Sequence, residues 1–143
     1  MPHNFDCFET PKTDLTEVRL LSIYTFLSEL FAKYQPDVLS VEELFFNTNA
    51  KTALIVGHAR GVILLAAAAH HIPIVSYTPL QVKMALTGYG RADKSQIGHM
   101  VKSLLYLEAI PKPDDTTDAL AIALTHAFSS KLERVTGEAL RVK

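Results

Sequence analysis

Two short strand-like runs separated by one long apolar stretch set the tightest limit on how this chain can fold. Val38-Leu39-Ser40-Val41 follows a Pro-Asp turn and reads as a buried strand. Ile72 to Thr78 carries Ile72, Ile74, Val75 and Tyr77, residues that favour extended backbone. Between them, Ala53 to His71 reads as a buried helix with small residues (Gly57, Gly61, Ala66, Ala67) on one side. Strands alternating with helices argue for an α/β domain with a parallel core.

The flanking segments fit that plan. Residues 5–10 alternate loosely and suggest a short strand ending at Pro11. Thr13-Asp14 is expected to open a helix whose apolar face is Leu20, Ile23, Leu27, Leu30, Phe31 and Tyr34, stopped by Pro36. Thr78-Pro79 reads as an N-cap followed by proline at the first helical position, with the helix ending near Thr87-Gly88. Asp93, with Gln96 three residues on, forms a capping box for a further helix. A last helix is expected from about Asp114 to about Phe128. This gives one domain over 1–128 and a tail over 129–143 with weak periodicity.

A chain of 143 residues is long enough to bury a core without disulfides, and its single cysteine, Cys7, allows none within the chain. That usage fits a reducing, cytoplasmic setting. The apolar stretch over 53–69 is interrupted by His58 and Arg60 and is short for a bilayer, so no membrane role is expected. A formal net charge of −1 excludes a protein that coats nucleic acid by bulk charge; any such role needs a local basic patch.

Three carboxylates stand out by position. Glu42 ends the first clear strand, where open α/β sheets place their ligands. Asp115 and Asp118 lie three apart at a helix start, hence on one face. Converging carboxylates are costly without a cation, and oxygen-only donors suit Mg²⁺ or Mn²⁺ rather than zinc. By spacing alone the signal is weak, and the same residues read more simply as a helix cap and a solvated strand end. The histidines show no zinc spacing and read as structural or exposed.

Five segments in order then carry a resemblance. They are Gln35-Pro-Asp-Val-Leu-Ser-Val-Glu-Glu-Leu-Phe-Phe46, Ala59-Arg-Gly-Val62, Thr78-Pro-Leu-Gln-Val-Lys83, Thr87-Gly-Tyr-Gly-Arg-Ala-Asp-Lys-Ser-Gln96 and Ile110-Pro-Lys-Pro-Asp-Asp-Thr-Thr-Asp-Ala-Leu-Ala121. Together they resemble the RuvC family of Holliday-junction resolvases over about residues 5–128. The resemblance implies an RNase H-like fold, a mixed sheet flanked by helices. It implies a magnesium-dependent endonuclease (Mn²⁺ as substitute) with Glu42, Asp115 and Asp118 as metal-holding catalytic residues. Lys83 and Lys94 are then expected to contact DNA phosphates, and Phe45 to pack on bases at the branch point; Arg91, in a Gly-rich loop that could adapt to DNA, is a further candidate contact by position. A homodimer acting on four-way junction DNA, alongside a branch-migration complex, is the family's mode of work.

One departure stands against these matches. The family opens with a strand carrying Gly-(Ile/Leu)-Asp-Pro-Gly, whose aspartate is its first metal ligand, and no such motif occurs here. The expectation is that the first two strands, roughly 20–30 residues, are missing from this sequence. Asp6 and Asp14 are unsuited as substitutes, since one sits in a candidate strand and the other at a helix start. Lacking that aspartate, the chain has a second reading, a junction-binding or assembly module that does not cleave.

Overall fold

The computed structural model describes residues 4–43 and 50–136. Seven elements follow in order: α1 (Thr16–Tyr34), β1 (Leu39–Glu42), α2 (Ala50–Ala69), β2 (Ile74–Tyr77), α3 (Pro79–Thr87), α4 (Lys94–Leu104) and α5 (Asp114–Thr136). β1 and β2 pair in one two-stranded sheet. The Leu39 amide donates to the Pro73 carbonyl and, four residues on in both strands, the Glu43 amide donates to the Tyr77 carbonyl. Bonds advancing in the same sense along both strands make the pair parallel, as the β-α-β reading requires.

The chain divides into two compact units. Among the described residues, one holds Ser40–Glu43 and Ser76 to Thr136, including α3, α4 and α5. The other holds α1, α2 and the opening residues of both strands. In this second unit Phe31, Ala66, Ala67 and Ile72 form a buried cluster, with Tyr24, Leu27, Leu39 and Ile74 packed around it. The fully covered alanines let α1 and α2 approach closely, and the Phe31 ring meets His70 edge-on at 5.7 Å between centroids.

Helix boundaries in the first unit obey local chemistry. Thr78 and Asp93 each accept a hydrogen bond from the amide three residues on, while Gln81 and Gln96 reach back to the cap amides. Both are complete capping boxes. Gly88 ends α3 at φ 70°, a left-handed value that glycine adopts without penalty.

Four expectations need correction. Residues 5–10 join no ladder among the described residues; extended propensity makes a strand only where another segment supplies backbone partners. Phe8 instead stacks on Phe26 at 4.1 Å. α1 starts at Thr16 rather than Thr13-Asp14, because the Asp14 amide is used in a turn to the Pro11 carbonyl. α2 is not a buried helix: among its described side chains only Ala66 and Ala67 are buried, while Leu54, Ile55 and Leu65 are more than half exposed. An 18-residue stretch of it has a mean hydropathy of 1.7 and only 11% of that stretch is buried, so much of its apolar surface is uncovered. Finally, α5 continues past Phe128 to Thr136. Two of its hydroxyls bond back within the helix, Thr125 donating to the Ala121 carbonyl and Ser129 to the Thr125 carbonyl.

Candidate active site

A cleft of about 260 Å³ opens in the first unit at the carboxyl end of β1. Glu42 enters it from the strand end, Lys83 from α3, Asp93 and Lys94 from the start of α4, and Asp118 from α5. Ile97 and Ile122 are among its apolar lining residues. Each polar group arrives for a local reason. Lys83 sits one turn beyond the capped start of α3, and the Asp93 box fixes Lys94 as the first residue of α4. Asp118 stands at the fifth position of α5, one turn from an N-terminus whose dipole favours negative charge.

Lys94 Nζ lies 4.0 Å from Asp118 Oδ2, with the two side chains 76% and 44% exposed. An exposed pair at that distance is worth little in stability, so its importance lies in the local field. Burial pushes the Glu42 carboxyl above its ordinary range, and the charges of Asp118 and Asp115 push it the same way while Lys94 holds it back. Burial also raises Asp118, with Asp115 and Asp114 adding to the rise and Lys94 opposing it. Asp114 goes the other way: its hydrogen bond from Lys112 at 2.9 Å holds it below the usual value.

These shifts fix a sign. A carboxyl with a raised folded-state value binds more protons folded than unfolded just above the ordinary carboxylate range, so stability falls as pH rises through that window. The thermal midpoint of the metal-free protein is expected to decline through the interval between the ordinary and raised values. Glu42→Gln is expected to flatten that decline; parallel melting curves for the two proteins across acid to neutral pH check it.

The site residues expected from sequence are distributed unevenly. Glu42, Lys83, Lys94 and Asp118 meet around the cleft. Asp115 is exposed and outside its lining, though its charge acts on both Glu42 and Asp118. Arg91 is exposed in the connection before α4 and also outside the lining. Phe45 lies outside the described residues. Asp93 was read from sequence only as a cap, yet it lines the cleft. A second recess of about 270 Å³ brings Lys112, Asp114 and Thr117 together with Lys94 and Asp118. Its signal was present in the polar run from Lys112 to Asp118, from which only two aspartates had been singled out. Thr117, buried, donates to the Pro111 carbonyl and so ties the proline segment to the start of α5.

The donor set is all carboxylate oxygen, the chemistry of a hard divalent cation, and two of the carboxyls carry the unfavourable charge that such a cation relieves. Among the described residues no three His, Cys, Asp or Glu side chains close into a ready cage. Glu42 and Asp118 are the two carboxylates of this cleft that could hold a cation, and Asp115 acts on both through its charge.

A strand-end carboxylate and a helix-borne one sharing a lysine-rimmed cleft at a strand end is compatible with metal-assisted chemistry on a phosphate ester. The family profile described as crossover junction endodeoxyribonuclease RuvC matches residues 3–126. The crossover junction endodeoxyribonuclease RuvC of Alkaliphilus oremlandii is 57% identical over 126 residues, 88% of this chain and 77% of that protein. That of Desulforamulus reducens is 56% identical over the same shares. The structure of Thermus thermophilus RuvC in complex with a Holliday junction substrate superposes with a TM-score of 0.83 at 38% identity, covering 87% of this chain and 75% of that one. The chain belongs to the RuvC family of nucleases, which are metal-dependent enzymes of RNase H-like fold.

Proposed function

We propose that this protein resolves Holliday junctions by magnesium-dependent hydrolysis of a phosphodiester bond in each of two strands, acting as a cytoplasmic homodimer. The observation that carries the reading is the convergence of Glu42, Asp118, Lys83 and Lys94 on one cleft in a chain of this family. Glu42, Asp118 and Asp115 hold Mg²⁺, with Mn²⁺ as a substitute. When bound, the metal would supply Lewis acidity for polarising a water and offsetting charge on the leaving oxygen. The chain's own residues bind and orient: Lys83 and Lys94 fix the scissile strand through its phosphates, Arg91 adds a contact from the neighbouring connection, and Phe45 packs on bases at the branch. The junction-bound relative supports four-way DNA as the substrate.

Pairing of two copies is supported by α2. Its exposed Leu54, Ile55 and Leu65 leave apolar surface uncovered, and added Cβ atoms at Gly57 and Gly61 would meet nothing within 4 Å. A branch-migration complex is the partner class that supplies such junctions.

The test is cleavage of a labelled four-way junction against a linear duplex of the same sequence, with and without Mg²⁺. Junction-selective, Mg²⁺-dependent nicking is expected; junction binding without any nicking would establish the binding-module reading instead. Lys94→Ala should weaken junction binding and reduce the slope of log affinity against log salt by about 1, as for one lost phosphate contact. It should also move the acid limb of the cleavage profile to higher pH, because Lys94 holds both Glu42 and Asp118 down.

A further inference from the structure

Tyr77, the last residue of β2, is 8% exposed, and its hydroxyl lies 2.8 Å from Nδ1 of His126 on α5. The rings stand 6.0 Å apart and tilted by 50°. With the imidazole neutral and its proton on Nε2, the hydroxyl donates to Nδ1 and the buried phenol is satisfied. Both residues connect to elements that carry a cleft carboxylate. The Tyr77 carbonyl accepts from the Glu43 amide, the residue next to Glu42, at 2.8 Å. His126 follows Asp118 and Ile122 at intervals of four along α5, so all three share one helix face.

We propose that the Tyr77–His126 hydrogen bond is a positioning device that sets the register of α5 against the strand ends, and with it the placement of Asp118 relative to Glu42. Apolar contact alone tolerates sliding of a helix face, whereas a 2.8 Å bond between two rings of fixed geometry fixes one register. A metal held between two elements needs that precision, since the supporting groups behind ligands govern affinity and orientation. Tyr77 and His126 line neither recess, so neither is a catalytic residue. The proposal rests on the reading that Glu42 and Asp118 hold the cation together.

The experiment uses the whole protein and four variants: Tyr77→Phe, His126→Ala, His126→Asn and Asp118→Asn. Mn²⁺ binding is followed by electron paramagnetic resonance without DNA, thermal midpoints are recorded, and junction cleavage is titrated with metal. Tyr77→Phe and His126→Ala are expected to raise the Mn²⁺ dissociation constant by about tenfold, the usual effect of losing a group that supports metal ligands. They should raise the metal concentration for half-maximal cleavage equally and change the rate at saturating metal much less. His126→Asn puts a carboxamide oxygen near the position of Nδ1 and is expected to bind Mn²⁺ within about twofold of the native protein, since the phenol keeps an acceptor. If Tyr77→Phe lowers the midpoint but leaves Mn²⁺ affinity unchanged while Asp118→Asn weakens it, the pair is only structural and the proposal is overturned. If Asp118→Asn itself leaves Mn²⁺ binding intact, the shared-cation reading falls and the proposal with it.

Discussion

Asp118→Asn is expected to abolish metal-dependent junction cleavage, with a loss of about 10³-fold or more, the scale seen when one electrostatic group that stabilises the reacting charge is removed. The side chain keeps its size and one oxygen, so the helix and cleft are undisturbed and only the charge goes. Junction binding should persist, because Lys83 and Lys94, the proposed phosphate contacts, are untouched. The variant should also melt at or above the native temperature in metal-free buffer near neutral pH. Asp118 is raised by burial and by Asp115 and Asp114, so its ionised form opposes folding there. Loss of activity with no loss of stability is the signature of a residue kept for chemistry at some cost to the fold. Single-turnover cleavage, junction binding and a melting curve on one preparation check all three points. Retained Mg²⁺-dependent cleavage would remove Asp118 from the catalytic set.

Phe31→Ala is the substitution expected to do most damage to stability. Phe31 is 7% exposed and sits among Ala66, Ala67 and Ile72, with the His70 ring against its own. Truncation removes the largest side chain of that buried cluster and leaves a cavity that its backbone-bound alanine neighbours cannot fill. The expected cost is about 3–5 kcal/mol, a large share of the total for a domain of this size. Tyr34, three residues on in α1 and 44% exposed, provides the contrast: Tyr34→Ala should cost under about 1 kcal/mol, since a half-exposed ring gives up little buried area. Urea unfolding of the two variants compares them directly, and similar costs would mean the cluster is not the centre of that unit.

The chemistry of the cleft was legible in part because its groups are fixed by short-range rules. Glu42 could be placed from sequence because a strand-end position follows from where the short strand-like run over 38–41 stops. Lys83 and Lys94 were marked as site residues by the family resemblance, while the caps at Thr78 and Asp93 account only for where α3 and α4 begin. Asp93 was missed as a lining residue because a cap explains its presence fully, and nothing local says which way the cleft opens. The second recess was missed for a similar reason. Its polar groups come from the start of α4 and from the run before α5, which only tertiary packing brings together.

By itself, then, the sequence determined the succession of the seven helices and strands, the capped starts of α3 and α4 and the family, all of which depend on neighbours within a few residues or on ordered motifs. Tertiary structure alone decided three matters. It decided that residues 5–10 form no strand, since a strand is a property of a pair of segments. It decided that α2 leaves Leu54, Ile55 and Leu65 exposed, since an all-round apolar helix has no periodicity to say which face is covered. And it joined Tyr77 to His126 across 49 residues of chain, a partnership that no spacing rule could predict because it depends on how α5 lies against the strand ends.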